Sequence, residues 1–398
     1  MDFRDTPEEA AFRARLRDWL AANAPADYDA AADHDAKAAI RRRWHRSLYD
    51  AGYMGMAWPR EYGGQDLSPV YDAILNEEVG ASDGPPVPGQ VNYLGRAIYT
   101  YGSEEHKRRF LPTLLSGEIQ WCQGFSEPGA GSDLAALQTR AERNASGDYV
   151  VNGQKMWTSG GQYSDWCLLL ARTDPDAPKH KGISAFLVDM KSPGITTRPI
   201  VLADGEPETS EVFWDDVEIP ADQMLGRPGQ GWHIAMTTVT YERGPADVGM
   251  ISNYRKTLRA IEEEAAARGL TARPEVRREL ARAYVLGEAL RLNVAQQLSL
   301  RVSGREPGPE GSVGKLLWSR AEQSLYHLAL DLVGADAVTG AAPDVLAGYF
   351  RSRPISVYGG SSQIQRNLLA WHILSMPRKS SPGGAGGRPA AGNAASSR

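Results

Sequence analysis

A glycine-rich loop at residues 125–133 contains residue types that can bind a planar or phosphorylated ligand. It reads Phe-Ser-Glu-Pro-Gly-Ala-Gly-Ser-Asp. Gly129 and Gly131 allow the backbone to approach a ligand closely, and Ser126 and Ser132 supply hydroxyl groups that can hydrogen-bond to it. A surface loop with a purely structural role is the alternative interpretation. The segments that accompany the loop decide between the two.

A carboxylate that could act as a base lies in the helical region after Gly231. Glu242 is the only acidic residue between Asp222 and Asp247. In a largely apolar, closed pocket the pKa of such a carboxylate rises towards neutral pH, which suits proton abstraction. The alternative is a solvated glutamate on a helix surface, paired with Arg243 or another cation.

Two further segments combine aromatic, hydroxyl and glycine residues. Residues 153–160 read Gly-Gln-Lys-Met-Trp-Thr-Ser-Gly, and residues 357–367 read Val-Tyr-Gly-Gly-Ser-Ser-Gln-Ile-Gln-Arg-Asn. By itself Trp157 is weak evidence for a ligand, because a tryptophan on a strand usually belongs to the core.

Together, these segments resemble the acyl-CoA dehydrogenase family over about residues 5–378. The glycine-rich loop matches the family's flavin motif T-E-P-x-A-G-S-D, and residues 357–367 resemble its Y-E-G-T-x-Q-I-Q-R motif. Residues 212–220 match its F-F-D-D-V-x-V-P strand and turn, for which we predict a structural role. The resemblance implies FAD as the cofactor and α,β-dehydrogenation of an acyl-CoA thioester to the trans-2-enoyl thioester.

The resemblance also implies roles for individual residues. Contacts with FAD are implied for Phe125, Ser126, Gly131, Ser132, Trp157, Thr158, Ser159, Arg268, Ser361 and Gln363. Contacts with the substrate are implied for Ser132, Arg243 and Tyr358. The backbone N–H of Gly359 is expected to hold the thioester oxygen while the α-proton leaves, together with a hydroxyl of the FAD ribityl chain.

The family's most common base is missing. Many members carry their catalytic glutamate where this chain has Gly359, which has no proton acceptor. Branched-chain and long-chain members instead keep the base on the first helix of the C-terminal bundle. An ungapped alignment from Gly231 puts Glu242 at that position. The resemblance therefore implies Glu242 as the catalytic base.

Two segments that hold FAD in the family also differ here. The R-K-T-F-G motif, whose arginine reaches FAD across a subunit interface, is replaced by residues 267–273, where Arg268 is the substitute. The Q-V-F-G-G motif reads Asp-Leu-Val-Gly-Ala at 331–335. We expect association through the C-terminal bundle, as a homodimer, a homotetramer or a heterotetramer.

Apolar periodicity divides the chain into three domains and a tail. We predict an α+β fold with an N-terminal all-α domain at 1–120, a middle antiparallel β domain at 121–228, a C-terminal four-helix bundle at 229–378 and a disordered tail at 379–398. Short β-rich runs predict strands at 149–157, 166–171, 183–190, 195–201 and 211–219. Helices are predicted at 7–23, 232–268, 274–303, 312–333 and 361–374. Pro245 should kink the second of these helices or end it early.

Bulk composition excludes several classes of protein. The chain has 398 residues, a net charge of −5 and a pI near 5.9, so it lacks the basic surface that nucleic-acid binding requires. The N-terminus lacks the apolar stretch of a secretory signal, no apolar run reaches transmembrane length, and both cysteines lie among apolar residues. Zinc, Rossmann, P-loop and serine-hydrolase motifs do not occur. We expect a cytoplasmic protein with no metal, nucleic-acid or membrane partner.

Three alternatives remain open from the sequence. The reaction could be a flavin monooxygenation on the same fold, or the chain could be a non-catalytic subunit that completes a heteromeric dehydrogenase. An acyl carrier protein thioester could replace CoA. For the leading hypothesis we expect an electron-transfer flavoprotein to accept the electrons, and the sequence does not identify the acyl group.

Overall fold

The structure, a computed structural model, describes residues 4–28, 30–241, 246–305 and 308–377. It has a helical N-terminal region, a central β-sheet and a helical C-terminal region, so the predicted α+β architecture is confirmed. Pro245 and the tail at 379–398, for which the sequence predicts a kink and disorder, lie outside the described residues.

The described part of the N-terminal region, residues 4–28 and 30–120, contains five α-helices. They are α1 Pro7–Asn23, α2 His34–Asp50, α3 Pro69–Ala81, α4 Gln90–Tyr101 and α5 Glu104–Ser116. A reciprocal cap fixes the start of α1: the Thr6 hydroxyl accepts from the Glu9 N–H at 3.2 Å, and the Glu9 carboxylate accepts from the Thr6 N–H at 2.8 Å. The helix predicted over 7–23 is therefore confirmed.

In the part of the chain that the structure describes, eight strands form one sheet. They are β1 Trp121–Gly124, β2 Arg140–Arg143, β3 Tyr149–Ser159, β4 Trp166–Arg172, β5 Ile183–Asp189, β6 Ile195–Ile200, β7 Thr209–Ile219 and β8 Met224–Leu225. The strand order is β6-β7-β3-β2-β4-β5-β8, with β1 pairing to β4. Most pairs are antiparallel, but β1 and β2 each run parallel to β4. The five predicted strands are confirmed, whereas β1, β2 and β8 are too short for a periodicity to reveal them.

Helices return after the sheet. They are α6 Gly231–Tyr241, α7 Ala246–Ala267, α8 Pro274–Val302, α9 Gly311–Val333, α10 Asp336–Thr339, α11 Pro343–Ser352 and α12 Ser362–His372. The structure has α6 and α7 where the sequence predicts one helix, and it adds the short helices α10 and α11, which were not predicted. Among the described residues, no helix combines the length and the apolar character needed to cross a lipid bilayer.

Apolar side chains pack on both faces of the sheet. Alternate residues of β4 point to opposite faces. Leu168 and Leu170 join a core shared with the N-terminal helices and α6, while Cys167 and Leu169 join a second core on the other face. Cys122 also lies in the second core, and both cysteines are buried free thiols. The first core fixes the sheet relative to the N-terminal helices and α6.

Glu322 of α9 lies in the helical bundle close to Trp318, Tyr254 and Tyr326. Burial raises the pKa of Glu322 to about 7, and a hydrogen bond with Trp318 offsets part of this shift. The folded-state pKa therefore exceeds the ordinary value of 4.5 that applies to the unfolded chain. The ionised carboxylate consequently lowers stability by an amount that grows as pH rises from 4.5 to about 7 and is constant above that.

We expect Glu322→Gln to raise the free energy of unfolding by about 2–3 kcal/mol at pH 8 and to change it little near pH 4.5. Denaturant unfolding at the two pH values checks this. The matched control is Glu262→Gln, which removes an exposed carboxylate of α7 and should have little effect at either pH. An equal effect of Glu322→Gln at both pH values would contradict the raised pKa.

Candidate functional site

A buried ion pair joins the glycine-rich loop to strand β3. Lys155 is fully buried, and its ammonium lies 2.8 Å from a carboxylate oxygen of Glu127 and donates to the Phe125 carbonyl at 3.2 Å. Glu127 also accepts from the backbone N–H groups of Gln138 at 2.6 Å and Thr139 at 2.9 Å. Charge and hydrogen bonds therefore hold the loop and the strand in one arrangement.

The pKa values of both partners depend on burial and on each other. Burial acts to raise the pKa of Glu127, but the Lys155 ammonium and the donated hydrogen bonds lower it by more. Burial lowers the pKa of Lys155, and the Glu127 carboxylate counteracts that shift. Since Glu127 has an ammonium and two backbone donors within hydrogen-bond distance, the pair is ionised in the folded state.

The tip of the glycine-rich loop is a tight turn, and there is space around its two glycines. Glu127 and Ala130 exchange two backbone hydrogen bonds of 3.0 Å, and a backbone hydrogen bond of 2.9 Å from Met156 joins the loop to β3. A Cβ added at Gly129 or Gly131 would meet no atom of the described residues within 4 Å. Packing among those residues does not demand glycine at either position, so close approach of a ligand is a physical reason for both.

Strand β3 presents Trp157 through a β-bulge. The pairing with β7 shifts register between Lys155 and Thr158, and Trp157 has a φ of +63°, which non-glycine residues rarely adopt. The Trp157 side chain is 52% exposed, and Ser159 is also exposed. Thr158 is buried, and its hydroxyl has no hydrogen-bond partner among the described residues. Trp157 and Ser159 are thus open to a ligand, whereas Thr158 can offer only its backbone.

The loop before α12 contains two adjacent glycines and is held from inside. Gly359 has a φ of +60° and Gly360 a φ of +86°, so both lie in the left-handed region that favours glycine. The buried Gln365 amide donates to the carbonyls of Gly359 at 3.4 Å and Gly360 at 3.3 Å. Ser361 caps α12, because its hydroxyl accepts from the Ile364 N–H at 3.3 Å.

A cavity of about 250 Å³ lies between α7, α8, α9 and this loop, and Tyr358 and Gly359 line it. Thr240, near the end of α6, and Asp247, at the start of α7, line the same cavity. Glu242, the predicted base, and Arg243, a predicted substrate contact, fall between these two positions in sequence and lie outside the described residues. We call this space the bundle cavity.

Lys315 of α9 brings a positive charge to the wall of the bundle cavity. It is 8% exposed, and its ammonium lies over the rings of Trp318 at 4.7 Å and Tyr358 at 4.6 Å. A Cβ added at Gly359 would lie 3.3 Å from the Lys315 ammonium nitrogen. Any side chain at position 359 would therefore begin beside a cation.

Arg268, the predicted cofactor contact across a subunit interface, is paired with two carboxylates of its own chain. Its guanidinium lies 2.5 Å from Glu264 and 2.8 Å from Asp336, and its side chain is 34% exposed. A guanidinium has five N–H donors, so these two ion pairs leave capacity for a phosphate. The two carboxylates nevertheless offset the charge that would attract one.

The predicted site residues fall into separate groups in the structure. The first group lies on the glycine-rich loop and β3, and it consists of Phe125, Ser126, Gly131, Ser132, Trp157, Thr158 and Ser159. The second group lies at the bundle cavity and the start of α12, and it consists of Tyr358, Gly359, Ser361 and Gln363. Arg268 lies apart from both sequence segments, directly after α7.

Sequence reasoning assigned no role to Glu127, Lys155, Lys315 or Gln365, which shape these two groups. The alternation of β3 could have revealed Lys155, because it follows the buried Val151 at even spacing and so faces inward. No local signal could have paired it with Glu127, which lies 28 positions earlier.

Comparison with family models decides the family. Models of the acyl-CoA dehydrogenase N-terminal, middle and C-terminal domains match residues 6–118, 122–217 and 229–374. The chain belongs to the acyl-CoA dehydrogenase family. It is therefore an oxidoreductase of a family whose members are flavoproteins, and the resemblance seen in the sequence is confirmed.

Individual relatives and solved structures agree with this family. Acyl-CoA dehydrogenase IpdE1 of Mycobacterium tuberculosis is 37% identical over 383 residues, which cover 92% of this chain and 98% of IpdE1. Acyl-CoA dehydrogenase FadE34 of the same organism is 35% identical over 339 residues, which cover 83% of this chain and 46% of FadE34. The steroid ACAD Tcur3481-Tcur3483 superposes with a TM-score of 0.82 at 29% identity, covering 95% of this chain and 100% of that one. The ChsE4-ChsE5 complex from Mycobacterium tuberculosis gives a TM-score of 0.81 at 30% identity, with coverage of 95% and 100%.

The residues of the first group suit a flavin. The exposed Trp157 ring can pack against a planar cofactor, and the turn at Gly129 and Gly131 lets such a cofactor approach the backbone closely.

Among the described residues, no group of three or more His, Cys, Asp or Glu side chains could hold a metal ion.

Proposed function

We propose that this acyl-CoA dehydrogenase family member catalyses the FAD-dependent α,β-dehydrogenation of an acyl-CoA thioester, with Glu242 as the base. One observation carries the proposal: Gly359, where many family members keep their base, lines the same cavity as Thr240 and Asp247. These two residues flank Glu242 in sequence. A base carried by that segment and a base carried at position 359 would therefore serve the same space.

In the proposed reaction, the backbone N–H of Gly359 donates to the thioester oxygen and stabilises the negative charge that develops there. Glu242 removes the α-proton, and the electron pair that this releases forms the double bond as the β-hydrogen leaves. FAD, when bound, supplies the acceptor for that hydride. Tyr358, Ser132 and Arg243 are proposed to contact the substrate. An electron-transfer flavoprotein is proposed as the electron acceptor, by analogy with the family.

We propose that FAD is held by the glycine-rich loop, by β3 and by the start of α12. The hydroxyls of Ser126 and Ser132 and the open backbone at Gly131 would bind the cofactor from the loop. Trp157 and Ser159 would contact the flavin ring. The side chains of Phe125 and Thr158 are buried, so both support the site mainly from inside the protein. Contacts from α12 would come from Ser361 and the exposed Gln363, and Arg268 would bind the cofactor of a neighbouring subunit.

We expect Trp157→Ala to weaken FAD binding about 2- to 12-fold, because aromatic contacts contribute about 0.5–1.5 kcal/mol. Equilibrium dialysis of the apoprotein against FAD measures this. Trp157→Phe keeps an aromatic face and should retain most of the affinity. Since Trp157 is half exposed, its loss should leave the melting temperature of the apoprotein nearly unchanged. Wild-type affinity in Trp157→Ala would remove Trp157 from the proposed flavin contacts.

An anaerobic flavin-bleaching screen tests the proposed reaction. The FAD-loaded protein is mixed with straight-chain, branched and ring-bearing acyl-CoAs, and the loss of flavin absorbance is followed. We expect bleaching by at least one acyl-CoA, with the trans-2-enoyl thioester as product. A protein that dithionite bleaches but no acyl-CoA does would refute the proposal. If only a carrier-protein thioester bleaches the flavin, the substrate is that thioester and not an acyl-CoA, and the proposed dehydrogenation still stands.

We also propose that the working enzyme contains a second chain of this fold, docked on the C-terminal bundle. Helix α8 exposes the large apolar side chains of Tyr284, Val285 and Leu292, and a solved relative of this fold is the two-protein complex ChsE4-ChsE5. The two carboxylates beside Arg268 weaken its attraction for a phosphate, so both sites of a homodimer would have this weakened contact, whereas a different partner could supply a stronger one to this chain's cofactor. Light scattering and flavin content test this, and a flavin-loaded monomer would contradict it.

A further inference from the structure

The bundle cavity contains hydrogen-bonding groups that no described residue satisfies. The side-chain oxygen of Asn293 and both polar atoms of the Gln297 amide are shielded from solvent and have no hydrogen-bond partner among the residues that the structure describes. Both residues line the cavity. They are four positions apart on α8 and therefore share one face of that helix. An unsatisfied buried polar atom lowers stability by about 1–3 kcal/mol. We therefore expect these amides to have a hydrogen-bond partner inside the cavity.

A glycine on the neighbouring helix leaves room for the Asn293 amide. Gly314 of α9 also lines the cavity, and a Cβ added there would lie 2.8 Å from the Asn293 side-chain oxygen. Almost any other residue at 314 would therefore collide with Asn293 in its present position. Gly314 thus leaves space between α8 and α9 for the Asn293 side chain.

The chemistry of the lining defines the group that would satisfy it. Asn293 and Gln297 offer two carbonyl oxygens that need a donor and one amide nitrogen that needs an acceptor. Rotation of the Gln297 amide by half a turn exchanges its nitrogen and oxygen but leaves one donor and one acceptor. A carboxylate could only accept, and an ammonium could only donate. A hydroxyl group does both.

The charges at the wall do not alter this conclusion. Lys315 lies over two aromatic rings and Arg301 lies 4.8 Å from the ring centre of Tyr241, while Asp247 contributes a negative charge at the same cavity. Two cations and one anion line the cavity among the described residues, but none of them satisfies the Asn293 and Gln297 amides, which need both a donor and an acceptor.

The cavity is large enough for part of a substrate and opens on the proposed reaction centre. Its volume of about 250 Å³ is many times the ~10–15 Å³ that one water molecule requires. Gly359, whose N–H is proposed to hold the thioester oxygen, forms part of the wall. A side chain at position 359 would project towards the Lys315 ammonium.

We propose that the bundle cavity binds a hydroxyl group on the acyl portion of the thioester, through Asn293 and Gln297. The enzyme's preferred substrates are accordingly hydroxylated acyl-CoAs. This inference rests on the proposed dehydrogenation and specifies its substrate class.

Matched substrates test the inference directly. The probes are 3-cyclohexylpropanoyl-CoA and its three derivatives with a single hydroxyl at ring position 2, 3 or 4, used in the anaerobic bleaching assay. We expect kcat/KM for the best hydroxylated probe to exceed that of the parent at least ~10-fold, as one well-formed hydrogen bond in a buried site allows. If none of the four probes, nor any other acyl-CoA, bleaches the flavin, the proposed function fails, and the inference fails with it.

Substitutions then assign the preference to the cavity. We expect Gln297→Leu and Asn293→Leu to lower kcat/KM for the hydroxylated probe at least ~10-fold and to leave that of the parent within ~3-fold. Gln296→Leu changes the neighbouring, exposed glutamine of α8 and should preserve the preference. Equal losses for both probes, or no preference in the wild type, would show that the amides bind water only and would overturn the inference.

Stability of the ligand-free protein provides a second readout. A leucine in place of Gln297 removes two unsatisfied polar atoms, so we expect Gln297→Leu to melt at or above the wild-type temperature without substrate. A lower melting temperature, together with loss of activity towards both probes, would mean that Gln297 supports the fold through bound water, and would count against a substrate contact.

Discussion

Replacing Glu242 by glutamine should abolish substrate-dependent flavin bleaching while FAD stays bound. Glutamine keeps the size and hydrogen-bonding capacity of the side chain but cannot accept the α-proton. Losing a positioned base costs about 10²- to 10⁴-fold in rate. Stopped-flow absorbance under anaerobic conditions, with the best acyl-CoA of the screen, measures the effect. The control is Glu263→Gln, which removes an exposed carboxylate from α7 and should react at the wild-type rate.

A glutamate introduced at position 359 tests whether a base at that position can replace Glu242. In the Glu242→Gln background we expect Gly359→Glu to restore only part of the lost rate. Its φ of +60° costs a non-glycine residue about 1–3 kcal/mol, and the Lys315 ammonium would lower the pKa of the new carboxylate and weaken it as a base. Wild-type bleaching by the Glu242→Gln single variant would instead make Glu242 a structural helix residue.

Breaking the buried pair of Glu127 and Lys155 should produce the largest loss of stability. In Glu127→Gln the fully buried Lys155 keeps its charge without a counterion, which costs about 3–5 kcal/mol. The loop that carries Glu127 is proposed to bind FAD, so we also expect the flavin to be released at a lower temperature. Thermal unfolding followed by circular dichroism and by flavin fluorescence measures both effects.

The same loop provides a matched control for that experiment. Asp133 forms an ion pair of 2.9 Å with Lys179, but both side chains are more than half exposed. We expect Asp133→Asn to change stability by less than about 1 kcal/mol, since exposed ion pairs contribute little. The double variant Glu127→Gln with Lys155→Met should recover much of the loss, because it leaves no buried charge. If the double variant is as unstable as Glu127→Gln, the unpaired ammonium is not the cause.

Local chemistry made the borders of several elements predictable from the sequence. The cap of α1 uses Thr6 and Glu9, which lie three positions apart, and β3 and β7 are long strands of eleven residues each. The flavin-like segments were recognisable for the same reason, because their motifs are contiguous. The bulge at Trp157 was not predicted, since it depends on the register that β3 adopts against β7.

Contacts between residues far apart in the sequence could not be predicted from the sequence. Arg268 pairs with Asp336, 68 positions later, and no local pattern links the two. Helical periodicity places Asn293 and Gln297 on one face of α8 but cannot tell whether that face meets a polar partner or an open cavity. That difference depends on the packing of α7, α8 and α9.

The two buried cysteines make this protein convenient for site-specific labelling. Cys122 and Cys167 are the chain's only cysteines, and both lie in the second core of the sheet. Burial raises the pKa of the Cys167 thiol and so suppresses its reactive thiolate. A thiol introduced at an exposed position such as Ser146, in the turn between β2 and β3, would therefore be the one that reacts with a maleimide dye in the folded protein. A single spectroscopic reporter can thus be attached to the sheet without first removing the native cysteines.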